Sequence, residues 1–93
     1  MAVKKTKGQS VTTMGITAEI DVEALNDYRV LVMLASENQM EVVRGYDRAL
    51  RLMLGDQYDE VLDKLQGDDR YLSQDKVNDY FTAVSDAVKA LKN

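Results

Sequence analysis

Between Ala49 and Leu65 the chain reads A-L-R-L-M-L-G-D-Q-Y-D-E-V-L-D-K-L, and two apolar helical stripes meet there across a very short junction. Leu50, Met53 and Leu54 close the first stripe, while Tyr58, Val61, Leu62 and Leu65 carry the second. Gly55 stands where a residue of positive φ ends a helix at little steric cost. Asp56, with Asp59 three residues on, supplies the acidic first turn and the N-cap oxygen expected of a new helix. Helices joined so closely are neighbours in space, so the rest of the chain must pack on this corner.

The same pattern places the other helices. Asp21 is expected to cap a short turn through Leu25, followed by a helix over 26–37. On that helix Val30, Leu31, Leu34 and Ala35, with Tyr28 on the edge, cover one broad side. Val32 and Met33 widen the stripe beyond what one neighbour needs. A central helix touched from two sides explains this, and so does an oligomer face. Asn38, with Glu41 three residues on, predicts the cap of a second long helix. Its face of Val42, Val43, Tyr46, Ala49, Leu50, Met53 and Leu54 lies opposite Arg44, Arg48 and Arg51. Gly45 costs that helix about 1 kcal/mol against alanine, which close approach of a neighbour would excuse. A third helix is predicted over 57–66 with Asp59, Glu60 and Asp63 pointing outward. Gly67-Asp68-Asp69 ends it, Tyr71 and Leu72 are expected to tuck back, and Ser73 caps the last helix. That helix repeats Val77, Tyr80, Phe81, Val84, Ala87, Val88 and Leu91 at spacings of three and four.

The N-terminus is different. Residues 1–13 show no helical period and contain Lys4, Lys5 and Lys7, so they read as a flexible basic arm before a single domain over 14–93. Met14 to Ile20 alternates, with Met14, Ile16, Ala18 and Ile20 on one side, which predicts a short strand. A strand must find a mate for its backbone. Val11–Thr13 across a Met14-Gly15 turn would serve, and so would a second subunit. The fold class expected is therefore mainly α: a small bundle of about four helices with a short N-terminal β strand or hairpin.

Composition removes most chemistry. The 93 residues contain neither cysteine nor histidine, which excludes thiol nucleophiles, imidazole acid–base work and the usual zinc sites. Ser73-x-x-Lys76 has the spacing of a Ser–Lys dyad, but Ser73 sits where a helix cap is wanted. Asp59, Glu60 and Asp63 face away from the apolar stripe and read as a solvated acidic surface, where acid–base work lacks the desolvation it needs. No glycine-rich phosphate cradle, calcium loop or dinucleotide fingerprint is present. No catalytic, cofactor or metal site is expected, and the chain does not read as an enzyme. Its net charge is −4; without the three N-terminal lysines nine basic residues face sixteen acidic ones, a body near −7. Such a surface repels phosphates, so no nucleic acid is expected, and the arginine row reads as a complement to an acidic protein surface. The longest purely apolar run, Val30 to Ala35, is too short to cross a membrane, and no signal peptide is visible.

The block L-R-L-M-L-G-D-Q-Y-D-E-V-L-D-K-L, the short acidic loop after it and the N-D-Y-F near the start of the last helix resemble the tail assembly chaperones of long-tailed (siphovirus-type) bacteriophages and prophages. So does I-D-V-E-A-L-N-D-Y-R-V-L, where an acidic cap and an aromatic open the first long helix. The resemblance runs from about Ile16 to Leu91 and does not include the lysine-rich arm. It implies a non-enzymatic role in virion morphogenesis in the bacterial host cytoplasm. Such a protein binds the tape measure protein, keeps its helical segments soluble and helps recruit major tail tube subunits. The other functions weighed are a structural head–tail or tail component and a small helical transcriptional regulator. The partner-binding candidates are Val32 and Met33, the strand residues Met14, Ile16 and Ile20, and Arg44, Arg48 and Arg51; the apolar ones among them would serve equally in an ordinary core. A homo-oligomer would use the same surplus apolar residues.

Overall fold

The described chain opens on an antiparallel hairpin, β1 (Gly8–Thr13) and β2 (Ile16–Asp21), paired from Gly8 opposite Asp21 to Thr13 opposite Ile16. This computed structural model describes residues 8–92, with side chains through residue 90. Lys4, Lys5 and Lys7 of the expected arm, and the side chain of Leu91, lie outside the described residues. Met14 and Gly15 make a two-residue turn, both at positive φ (53° and 78°), the mirror-image form whose twist matches that of the strands. The alternating strand thus finds its mate in its own chain. Gly8–Thr13, expected in the arm, is a strand instead, and Met14 belongs to the turn.

Caps then set the helix boundaries. Asp21 accepts a hydrogen bond from the Glu23 N–H (3.1 Å) at the start of a 3₁₀ helix, Val22–Asn26. Asp27 accepts from the Val30 N–H (3.0 Å) and caps α1, Tyr28–Leu34. This helix has seven residues, well short of the expected 26–37. It stops because the next cap is already being built: Ser36 Oγ accepts from the Asn38 N–H, and Asn38 Oδ1 accepts from Met40 and Glu41 to open α2, Gln39–Leu54.

At the junction Gly55 takes positive φ (54°) as expected, but with ψ at −123° it does not adopt the usual left-handed helical form. The chain makes a 3₁₀ step over Gly55–Gln57 before α3, Tyr58–Gln66. Asp56 therefore lies within that step and does not cap α3. Gln57 occupies the cap position without making a cap bond and reaches across to β2 instead. Its Oε1 accepts from the Glu19 N–H (3.0 Å), and its Nε2 donates to the Glu19 carbonyl (2.8 Å). One side-chain amide thus pairs both outward backbone groups of Glu19, ties the hairpin to the corner and blocks that edge of the sheet. Ser73 accepts from the Lys76 N–H (3.1 Å) in the first turn of α4, Gln74–Lys92.

The core gathers Val11, Ile16, Ala18 and Ile20 of the hairpin, Leu50, Met53 and Leu54 of α2, Val61 and Leu65 of α3, and Tyr80, Val84 and Val88 of α4. No residue of α1 belongs to it. The fold is mainly α, a small bundle of three helices with a short antiparallel hairpin, and α1 lies outside the bundle against α2 and the 3₁₀ helix. Tyr58, Leu62 and Phe81 pack on the core from its margin, where Tyr46 meets Phe81 edge to face at 5.0 Å. Leu72 packs against the core, but Tyr71 does not tuck back and stands exposed, with Arg70 over its ring. The Tyr80 hydroxyl is buried with no protein hydrogen-bond partner.

Candidate partner-binding surface

Helix α1 is apolar on two opposite sides and can turn only one of them to α2. Val30 is its single buried residue, and Met33 and Leu34 settle over Gly45. A Cβ at Gly45 would stand 2.8 Å from the Met33 Cβ and 3.0 Å from Leu34 Cδ2, so the missing side chain is what lets the helices approach. The opposite side carries Tyr28, Leu31, Val32 and Ala35, spaced three and four apart. Tyr28 is 77% exposed, Leu31 51% and Val32 50%. The expected buried face of Leu31, Ala35 and Tyr28 is therefore an outward face. A helix apolar on two opposite sides is ordinarily covered on both, and this one is covered on one.

Beside α1 runs an open groove of about 560 Å³. Met33, Val43 and Leu52 give it an apolar lining, while Arg44, Arg48 and Arg51 line it with guanidinium groups; Asp47 is its acidic residue. Arg48 Nε lies 3.5 Å from Asp27 Oδ1, linking α2 to the cap of α1. Arg51 Nε meets Asp47 Oδ2 at 2.8 Å and its guanidinium lies 4.2 Å from the Tyr58 ring centroid, while the Tyr58 hydroxyl donates to Asp47. Arg44, with its side chain 69% exposed, only approaches Glu41 at 3.8 Å. The Val30 N–H, opposed by partial burial and helped by Arg48, holds the Asp27 carboxyl below its ordinary pKa. Partial burial pushes Asp47 upward, but the Tyr58 hydroxyl and Arg51 outweigh it and the net shift is also downward.

The candidates from the sequence fall into four places. Val32 lies on the outward face of α1, and Met33 lies in the groove with Arg44, Arg48 and Arg51. Ile16 and Ile20 are buried in the core, so the hairpin's apolar face offers no surface to a partner, and Met14 is exposed alone on its turn. Tyr28, Leu31 and Leu52 belong to the surface and were missed. The spacing of Tyr28 and Leu31 was visible, but α1, with Arg29 its one charged residue, carries too narrow a polar face to show which side looks out.

Elsewhere, Asp59, Glu60 and Asp63 are exposed on α3, and no group of three or more metal-ligating side chains occurs among the described residues. Lys76, the lysine of the Ser–Lys spacing, turns away from Ser73 Oγ to donate through Nζ to the Leu65 carbonyl (3.1 Å) and to Asp69 (2.5 Å). Among the described residues no helix is long and apolar enough to cross a membrane. No protein-family model, curated protein or solved structure matches the chain.

Proposed function

We propose that the chain is a tail assembly chaperone of a long-tailed bacteriophage, acting in the host cytoplasm by binding rather than by catalysis. In this role it holds helical segments of the tape measure protein in solution and helps bring major tail tube subunits to them. The family is suggested by the L-R-L-M-L-G-D-Q-Y-D-E-V-L-D-K-L block and the acidic, aromatic opening of the first helix. The observation that carries the binding role is the outward face of α1. Covering what remains exposed of Tyr28, Leu31 and Val32 is worth roughly 3–5 kcal/mol before the costs of association. That is a useful share of the free energy of a reversible complex, as suits a protein that must release its client.

Co-expression with the tape measure protein of the same genome tests the proposal. The wild-type chain should raise the soluble fraction of that protein and co-purify with it. Leu31→Asp with Val32→Asp should abolish both effects while leaving the helical signal and cooperative melt in place. Failure of the wild-type chain to associate with the tape measure protein would remove the chaperone assignment. Retention in purified tails at fixed stoichiometry would replace it with a structural role.

A further inference from the structure

We infer that the groove between α1 and the outer face of α2 takes an amphipathic helix whose flanks are acidic. The inference rests on the chaperone reading for the identity of the client, and on the groove itself for the client's chemistry. Three arginines and one aspartate line it, in a chain of net charge −4. At about 1.5 Å per residue, Arg44, Arg48 and Arg51 step along α2 by about 6 Å and then about 4.5 Å. Carboxylates four and three residues apart on an antiparallel helix repeat at those same intervals. Beside the arginine row the lining is hydrocarbon, from Met33, Val43 and Leu52, so the helix that fits needs an apolar stripe beside its acidic one.

Arg51 is held by Asp47 at 2.8 Å and by the Tyr58 ring, while the contacts of the other two arginines are longer and leave them able to bind. Arg44 approaches Glu41 through one nitrogen at 3.8 Å, and Arg48 meets Asp27 through one at 3.5 Å. The exposed Arg44–Glu41 pair contributes little, the Arg48–Asp27 pair is partly buried, and both guanidinium groups keep further N–H donors. Duplex DNA suits the groove less well. A phosphate backbone offers nothing to the apolar lining, and the acidic body of the protein repels it.

Two probes test this on the full-length chain, with binding read by fluorescence anisotropy. The first is a designed helical peptide of about 20 residues with leucines on one stripe and glutamates flanking it, compared with a twin carrying lysines for glutamates. The acidic peptide should bind and the basic twin should bind at least about tenfold more weakly. Arg44→Glu, at an exposed position, should remove that preference, and Leu52→Asp should weaken both peptides. The second probe is a set of overlapping peptides tiled across the tape measure protein of the same genome. Those that bind should carry acids flanking a three-and-four apolar repeat, and Arg44→Glu should weaken them by about tenfold.

If tape measure peptides bind without acidic flanks, or Arg44→Glu changes their binding less than about twofold, the inference is overturned while the chaperone reading stands. If the designed acidic peptide binds with the expected Arg44 dependence but no tape measure segment does, the groove chemistry holds and the chaperone reading falls. Binding of duplex DNA that is lost in Arg44→Glu would assign the groove to nucleic acid and overturn the inference.

Discussion

Gly45 shows how one missing side chain sets the geometry of the proposed binding surface. Alanine there would favour α2 by about 1 kcal/mol in propensity. It would also drive a methyl group to 2.8 Å from the Met33 Cβ, an overpacking cost of about 1–3 kcal/mol. Gly45→Ala should therefore lower stability by up to about 2 kcal/mol in a denaturant melt, with α1 losing its protection first. Tyr80 makes the opposite case. Its hydroxyl is buried without a protein partner, so Tyr80→Phe should be neutral or raise stability by up to about 1–2 kcal/mol in the same assay. Asp27 and Asp47 have folded pKa values below the ordinary carboxylate value. Each contributes stability above the unfolded value near about 4, and that stability is lost as pH falls through the folded value. Melting temperatures between pH 5 and pH 2 should accordingly fall more steeply for the wild type than for a Asp27→Asn, Asp47→Asn double variant. Parallel curves would deny those two carboxylates their role.

At the scale of elements, the junction after α2 is held by a contact that no local pattern announces. Gln57 pairs the N–H and carbonyl of Glu19, 38 residues away in sequence. Gln57→Ala should cost about 1–2 kcal/mol and speed amide exchange at Glu19, whereas Gln57→Glu keeps only the accepting half. Near-wild-type stability of the alanine variant would show that the amide adds nothing to the corner. Asp56 drew the cap assignment because aspartate before an apolar run is a strong local signal, and only the backbone angle at Gly55 carries the chain past it. The caps at Asp21, Asn38 and Ser73 were legible, since each bond spans two or three residues. The α4 stripe was legible too, because Tyr80, Val84 and Val88 recur against a polar background. Helix α1 lacked that background. With apolar residues on both sides, its length and its inward face depended on the Asn38 cap and on Gly45, two features of its neighbour.

Across the whole molecule, the hairpin and three helices share one core, and α1 is attached beside it through one buried residue and a close helix contact. Seven residues are too few to hold a helix by propensity, so α1 depends on Val30, on the Asp27 cap and on the contact over Gly45. The mainly α class, the strand and the arginine row were all visible in the sequence. The buried hairpin face and the outward α1 face were not, because both follow from how elements dock. An element apolar outside and lightly held inside is the part of this fold best suited to take a client, and amide hydrogen exchange reads it directly. In the free protein, amides of α1 should exchange at least about tenfold faster than those of α2 and α4. In the co-purified complex with the tape measure protein, α1 should slow by about tenfold or more while the core of α4 stays unchanged. Protection of α1 equal to that of α4 in the free chain, with no change on complex formation, would contradict the proposal that α1 is the client-binding element.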